Sequence, residues 1–136
     1  MNAKLIEKAS QVIKTCDAAY LGVIDENGAP SVSTASPLKP EGIREVYFGT
    51  SPCANKTKRL LKDKRASVCF HKGGDNITLV GEAEILTDQA TKSRVWQSWF
   101  IEHFTGGETD PNYCVIKFTA KRASLWVGCE SAEGAI

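Results

Sequence analysis

The sequence predicts a single α+β domain, a small barrel of six mainly antiparallel strands with short helices at its ends. Three observations lead to this prediction. The chain has 136 residues and 42% hydrophobic content, which is typical of one globular domain spanning residues 1–136. Six extended segments are joined mostly by short turns, and three amphipathic helical segments are interspersed among them.

The first half of the chain predicts one helix and three strands of a meander. Apolar residues recur at helical spacing between Leu5 and Cys16, with lysines on the opposite side, and this predicts an amphipathic helix. Asn27-Gly28 between two extended runs is a strong hairpin signal, while Pro37, Pro40 and Gly42 mark a loop. The three predicted strands cover residues 18–24, 30–36 and 44–50.

The second half predicts two further helices and three further strands. Ser51 is a favourable N-cap and Pro52 suits the first helical position, so a second helix is predicted to begin there. This helix is predicted to continue to about Asp63. Thr87-Asp88 can cap a third helix, which carries an apolar stripe and ends at two glycines; the stripe consists of Val95, Trp96, Trp99, Phe100 and Phe104. The predicted strands cover residues 66–71, 76–86 and 113–127.

Composition excludes several classes of function. Seventeen basic residues nearly balance sixteen acidic ones, so no general basic field for nucleic acid is expected. No apolar run approaches the ~18–20 residues of a membrane span, and the charged N-terminus does not resemble a signal peptide. We therefore expect a cytoplasmic protein without nucleic-acid or membrane partners. The five cysteines lack metal-type spacing and are expected to be reduced thiols, with no metal site.

The segment from Thr50 to Arg59 is the most informative candidate site. A predicted strand delivers Thr50 and Ser51 to a helix N-terminus, whose free N–H groups and dipole favour an anion. Asn55, Lys56 and Arg59 follow on the first turns, where their donors suit a phosphate. The same pattern is typical of a capped surface helix with a solvated Lys/Arg face.

The second candidate site is the hydroxyl-rich segment Ser31-Val32-Ser33-Thr34-Ala35-Ser36. Small side chains let a flat ligand lie close to the backbone, although an edge strand of a barrel has the same composition. Trp126, near the end of the last strand, is placed to cover such a ligand. No catalytic triad or paired carboxylates are found, and His71 and His103 lie on different predicted elements, so no catalytic residue is assigned.

Short motifs occur along the chain in a characteristic order between Leu5 and Val127. They are Gly28-Ala29-Pro30, Val46-Tyr47-Phe48-Gly49-Thr50-Ser51, Asn55-Lys56, Lys64-Arg65-Ala66-Ser67-Val68, Val80-Gly81-Glu82-Ala83-Glu84, Phe104-Thr105-Gly106-Gly107 and Asp110-Pro111. In this order they resemble the split-barrel flavin-binding family related to pyridoxamine 5′-phosphate oxidase, especially its short general-stress-protein-like branch.

This resemblance implies a six-stranded split β-barrel that forms a homodimer with FMN at the interface. By position, the phosphate would be held by Thr50, Ser51, Asn55 and Lys56. The resemblance assigns the isoalloxazine edge to Ser33, Thr34, Ala35 and Ser36, and places Asn76 where relatives have an amide side chain. Trp126 would approach the flavin from the partner subunit.

The function implied is an FMN-dependent oxidoreductase that passes electrons or hydride between flavin N5 and a small molecule. The alternatives are a non-catalytic flavin carrier or sensor, a haem or deazaflavin binder on the same barrel, and a dimeric structural protein. Haem would need His71 or Cys53 as an axial ligand. Asn55 and Ser33 replace arginines of the full-length oxidase, and the last ten residues lack its basic substrate segment. Oxidation of pyridoxamine phosphate itself is therefore not expected.

Overall fold

Eight strands form one antiparallel sheet, with three α-helices and two 3₁₀ helices around it, in the computed structural model of the chain. The structure describes the backbone of residues 1–136 and all side chains except those of Lys39 and Glu41. The helices are α1 (Ala3–Lys14), α2 (Asn55–Lys62) and α3 (Gln89–Arg94), with 3₁₀ helices at Ser98–Glu102 and Gly107–Thr109. The strands are β1 (Ala19–Ile24), β2 (Pro30–Ala35), β3 (Leu38–Glu41), β4 (Glu45–Thr50), β5 (Arg65–Lys72), β6 (Asp75–Leu86), β7 (Cys114–Val127) and β8 (Glu130–Ala135).

The long strand β7 divides the sheet. The strand order is β2-β1-β5-β6-β7-β4-β3, and β8 pairs with β7 outside this order. β4 pairs with the first part of β7 from Cys114 to Thr119, and β8 pairs with the last part from Arg122 to Val127. Because β6 pairs with β7 along both parts, the two branches share one continuous pair of strands. This branching is how the chain makes a split barrel.

A bulge in β7 marks the point where the sheet divides. Gly81 of β6 pairs with Ala120, while the preceding Val80 pairs with Arg122, so Lys121 is the extra residue. Bulges of this kind bend a strand and increase its twist, which lets the two parts of β7 serve different neighbours. A Cβ at Gly81 would overlap the carbonyl oxygen of Thr119, so this close approach requires glycine.

The predicted fold class is confirmed, and the structure adds two strands to the six predicted. β3 lies in the segment interpreted as a loop, since Pro40 is tolerated on a strand at the end of the pairing order. β8 follows a two-residue turn in which Gly128 and Cys129 have φ of 57° and 62°. Such a turn suits a hairpin but normally carries Asn or Gly, and Cys129 therefore gave no turn signal.

The core has two parts, which lie on opposite faces of β4 and the first part of β7. The larger part packs Leu5, Ala9 and Ile13 of α1 against the sheet. The smaller part is aromatic and surrounds Tyr113, whose ring lies 5.7 Å from that of Phe100. The third predicted helix is split there: α3 ends at Arg94, and Trp99 and Phe100 of the apolar stripe lie on the separate 3₁₀ helix Ser98–Glu102.

Strand alternation gives the sheet an inner face toward the core and an outer face. In β1, Ala19, Leu21 and Val23 are buried, whereas Tyr20 is 44% exposed. We use "outer face" for the side chains that project with Tyr20 from β1, β2, β5, β6 and the last part of β7. Because each strand alternates, a stretch of adjacent residues cannot all contribute to one face.

Candidate functional site

The helix α2 begins later than the sequence predicted. Its N-cap is Ala54 rather than Ser51, and Pro52 lies in the preceding turn instead of the first helical position. Ser51 stabilises that turn: its Oγ accepts the Cys53 N–H at 3.1 Å, and its carbonyl oxygen accepts the Ala54 N–H at 3.1 Å. The hydroxyl therefore caps a turn outside the helix, which the local pattern of Ser-Pro does not distinguish from a helix start.

The first turn of α2 has the features of an anion site. Ala54 gives no side-chain hydrogen bond to the helix, and no acidic residue lies in the first turn. The first N–H groups of a helix have no partner within the helix, and the dipole makes this end positive. Lys56 is half-buried, and it is absent from the six ion pairs found among the described side chains. Asn55 is exposed beside it.

Thr50 and Ser51 are engaged within the protein. The Thr50 hydroxyl is buried and lies 3.3 Å from the Thr57 hydroxyl. Thr57 donates its proton to the Ser51 carbonyl oxygen at 2.7 Å, and the Ser51 hydroxyl donates to Asn112 Oδ1 at 2.7 Å. Thr50 and Ser51, which were predicted to contact the phosphate, instead connect the end of β4 to Thr57 near the start of α2. The structure brings Asn55 and Lys56 to the surface there and turns Thr50 inward.

Arg59 is part of an ion pair rather than a free donor. Its guanidinium donates to both carboxylate oxygens of Glu26, at 2.8 and 3.1 Å, and to the Ser31 hydroxyl at 3.3 Å. These bonds hold the β1–β2 turn against α2. The guanidinium hydrogen bonds lower the pKa of the Glu26 carboxyl from about 4.5 to about 2. Arg59 thus fixes the position of β2 and is not available for a ligand in this arrangement.

We expect the Glu26–Arg59 pair to make stability depend on acid pH. Since the folded pKa of Glu26 is lowered, its contribution is complete above the unfolded value near 4.5 and is lost as pH falls toward 2. Urea unfolding of the wild type and Glu26→Gln should therefore differ at neutral pH and converge between pH 4.5 and 2. Glu102→Gln, at an exposed position on a 3₁₀ helix, is the control. A difference that persists unchanged at pH 2.5 would contradict the assignment.

The four predicted residues of the second strand do not form one surface. Ser33 pairs with Leu21 and Ala35 with Ala19, whose side chains point to the inner face. Thr34 pairs with Tyr20 and projects to the outer face. Ser36 follows the end of β2 and lines a separate cavity of about 480 Å³ beside Trp99. Since Arg59 reaches Ser31, which projects on the same side as Ser33, this inner edge of β2 faces α2.

Asn76 and Trp126 are direct neighbours on the outer face. They pair across β6 and β7, and Trp126 is 46% exposed. The Asn76 amide is oriented on both sides, since its Oδ1 accepts from the Cys69 thiol at 3.4 Å and its Nδ2 donates to the Thr78 hydroxyl at 3.2 Å. Cys69 in turn pairs with Tyr20. Within one chain, this outer-face group is distinct from the group at the start of α2.

A cavity of about 680 Å³ lies along the same outer face. Gly22, Val32 and Val80 contribute to its lining, with Arg122 and Glu133 among the charged residues. Val32 is 66% exposed, so this surface combines apolar side chains with charged ones. Its size is sufficient for a small-molecule ligand.

Among the side chains that the structure describes, no three His, Cys, Asp or Glu residues lie close enough together to hold a metal ion. None of the described helices has both the length and the apolar character needed to cross a membrane.

Comparison with known proteins identifies the family. Residues 4–135 match the profile of the family described as pyridoxamine 5′-phosphate oxidase like. The chain belongs to this pyridoxamine 5′-phosphate oxidase-like family. The match covers almost every element of the fold, from α1 to β8, so the expected family membership is confirmed.

Individual members and neighbours of the family show how far the similarity extends. A pyridoxine/pyridoxamine 5′-phosphate oxidase from Agrobacterium fabrum is 32% identical over 87 residues, 62% of this chain and 42% of that protein. The chain thus matches less than half the length of this curated relative. A Clostridium acetobutylicum protein related to general stress protein 26 has a TM-score of 0.88 at 23% identity, covering 100% of this chain and 97% of that one. A heme binding protein from Mycobacterium smegmatis has a TM-score of 0.77 at 16% identity, covering 99% and 59%. These two solved structures establish the shared fold.

Several residues around the candidate site escaped the sequence analysis. Asn112 contacts Ser51 across 61 positions of the chain, and Cys69 and Thr78 orient Asn76 from neighbouring positions in the sheet. No local pattern marks these partners, because strand register and the path of the loop before β7 bring them together. The one local signal that could have pointed to such residues is a hydroxyl or amide side chain near the end of a predicted strand.

Proposed function

We propose that this pyridoxamine 5′-phosphate oxidase-like protein binds FMN and uses it as an oxidoreductase that acts on a small molecule. The observation that carries the proposal is the uncapped first turn of α2, with Lys56 and Asn55 at the surface, in a chain of this family. A phosphate monoester there would accept backbone N–H groups and the Lys56 ammonium.

The residues present fit the phosphate end of FMN. The first turn of α2 carries no acidic side chain, so an anion meets no repulsion from it. Asn55 adds an amide donor, and the Ser33 hydroxyl lies on the edge of β2 that faces α2. This donor set has one cation in Lys56, because Arg59 is paired with Glu26. We expect the affinity for the phosphate to depend strongly on that lysine.

The outer face supports the proposal of a homodimer. Tyr20, Val32 and Trp126 expose 44, 66 and 46% of their surfaces on this face. Apolar groups exposed together favour association with a complementary surface. In a homodimer with FMN at the interface, Trp126 and Asn76 of one copy would contact a flavin whose phosphate is held by the other copy.

The protein residues would bind and orient the cofactor rather than transfer protons. FMN supplies reversible hydride and electron transfer when it is bound. The Asn76 amide, oriented by Cys69 and Thr78, retains a donor and an acceptor for a heterocyclic edge. The apolar surface around Tyr20 and Trp126 would exclude water from such a ring.

Two alternatives make different predictions. A non-catalytic flavin carrier or sensor would bind FMN without being reduced by NADH or NADPH at a useful rate. A haem protein on the same barrel is favoured by the heme binding protein with a TM-score of 0.77, and by His71, which is exposed and pairs with Asn76 at the outer face.

The deciding experiment is the visible absorption spectrum of the freshly purified protein, with the mass of what heat releases. We expect flavin bands and FMN, followed by bleaching on addition of NADH or NADPH and recovery with an acceptor. A flavin that is bound but never reduced favours the carrier. A Soret band lost in His71→Ala favours haem. A colourless protein that fails to bind added FMN contradicts the proposal.

A further inference from the structure

We propose that Asn112 is a positioning residue for the phosphate site at the start of α2 and acts through Ser51. This inference rests on the proposed binding of FMN. Asn112 lies in the loop before β7, and its Oδ1 accepts the Ser51 hydroxyl proton at 2.7 Å. That bond is the direct hydrogen-bonded link from this loop to the turn that precedes α2.

Ser51 has no proton left for a ligand while this bond exists. A serine hydroxyl has one O–H, and here it is directed at Asn112, while the Oγ accepts the Cys53 N–H. Its carbonyl oxygen accepts from both the Ala54 N–H and the Thr57 hydroxyl. Ser51 is therefore hydrogen-bonded both to the turn that precedes α2 and to Thr57 in the first turn of α2. Its position determines where the free N–H groups of α2 point.

The main chain of Asn112 is tied to a network of hydrogen bonds. Its N–H donates to Asp110 Oδ1 at 2.9 Å, and Asp110 Oδ2 accepts the Gly106 N–H at 2.9 Å. The Asp110 carbonyl oxygen accepts from Lys92 Nζ at 3.0 Å, and Lys92 is buried with 6% exposure. The next residue, Tyr113, is buried and donates its hydroxyl proton to the Lys92 carbonyl oxygen at 2.8 Å. Because this network ends on the buried Lys92 and Tyr113, it limits the movement of the Asn112 main chain, while the Asn112 side chain is exposed.

The order of these contacts gives Asn112 a role that differs from simple stabilisation. The Asn112 Oδ1 orients Ser51, and Ser51 orients the helix start, so loss of this exposed acceptor should loosen the turn rather than unfold the domain. The consequence should appear in binding of the phosphate group, which depends on several N–H groups being aimed together. Binding of the flavin ring, assigned to other residues, should not change.

The test compares FMN with riboflavin, which lacks the phosphate. Dissociation constants for both are measured by quenching of flavin fluorescence in the wild type, Asn112→Ala, Ser51→Ala and the double variant. We expect the wild type to prefer FMN. Asn112→Ala should weaken FMN binding about tenfold, as loss of one positioned hydrogen bond implies, and leave riboflavin binding within about twofold. The double variant should bind FMN no more weakly than Ser51→Ala alone, since both changes break one link.

The matched control is Gln89→Ala. Gln89 Nε2 donates to the Glu108 carbonyl oxygen and to the Ser93 hydroxyl, both at 3.0 Å, so this change removes a bond to the 3₁₀ helix just before the Asn112 loop without touching Ser51. Its preference for FMN should equal that of the wild type. The inference is overturned if Asn112→Ala keeps the full preference, loses affinity for both flavins alike, or adds to the effect of Ser51→Ala. A wild type that binds both flavins equally would instead refute the phosphate site of the proposed function.

Discussion

Lys56→Glu is expected to lower the affinity for FMN about 100-fold. The change removes a charge-assisted hydrogen bond, typically worth about 1.5–3 kcal/mol, and places a carboxylate next to a phosphate, which adds repulsion of about 1 kcal/mol. The sum of roughly 3 kcal/mol corresponds to about two orders of magnitude in the dissociation constant. The effect should be large because Arg59, the next cation on this side of α2, is held by Glu26. Titration of the apoprotein with FMN, followed by fluorescence, measures it.

Lys58→Glu is the control for this experiment. It makes the same change of charge on the same helix, but two residues further on, about 200° around the helix axis from Lys56. Its side chain is exposed, so the change should leave both folding and FMN affinity nearly unaltered. Thr57→Ala, on the same helix, would be a poorer control for Lys56→Glu, because Thr57 is buried and hydrogen-bonded to Ser51. Equal affinities for Lys56→Glu and Lys58→Glu would show that the phosphate lies elsewhere.

Gly81→Ala is expected to lower the free energy of unfolding strongly, although it adds only one methyl group. A Cβ at this position would overlap the Thr119 carbonyl oxygen, and the nearest obstacles are backbone atoms of Thr119 and Ala120. Backbone cannot rotate out of the way as a side chain can, so β6 and β7 must separate at the bulge. Overpacking of this kind costs about 3 kcal/mol. For a chain of this size, that corresponds to a fall in Tm of about 10 °C, measurable by thermal unfolding.

Gly74→Ala provides the comparison for Gly81→Ala. Gly74 lies in the turn between β5 and β6, and a Cβ built there would meet no atom within 4 Å. Its φ is not positive, so alanine adopts the same backbone without strain. We expect its Tm to stay within about 2 °C of the wild type. If Gly81→Ala were equally tolerated, the bulge would not be the tight junction that divides the sheet.

The elements with strong local signals were predictable from the sequence. The spacing of Leu5, Ala9 and Ile13 predicted α1, and these residues are buried against the sheet. Asn27-Gly28 predicted the β1–β2 hairpin, which pairs antiparallel from Ile24 and Pro30 onward. In each case the information lies within a few residues, as periodicity or turn chemistry.

The candidate site was predictable in part. Asn55 and Lys56 were predicted to lie on the first turns of α2 and do so, although the predicted N-cap, Ser51, is three residues before the observed one, Ala54. The face of the sheet to which each residue of β2 projects was not predicted, and Ser33 and Thr34, which are neighbours in sequence, project to opposite faces. A hydroxyl-rich strand gives no hydrophobic alternation from which to assign the inner face.

The sequence by itself determined the fold class, the family and the segment in which the basic helix α2 begins, because short-range patterns and their order encode all three. Only the tertiary structure decided which donors are free there. Arg59 is paired with Glu26, and Ser51 is bonded to Asn112. These partners are 33 and 61 positions apart in the chain. Hydrogen bonding between such distant residues depends on the tertiary fold: the pairing of Thr50 with Cys114, for example, brings Ser51 near Asn112, and no local pattern records that position.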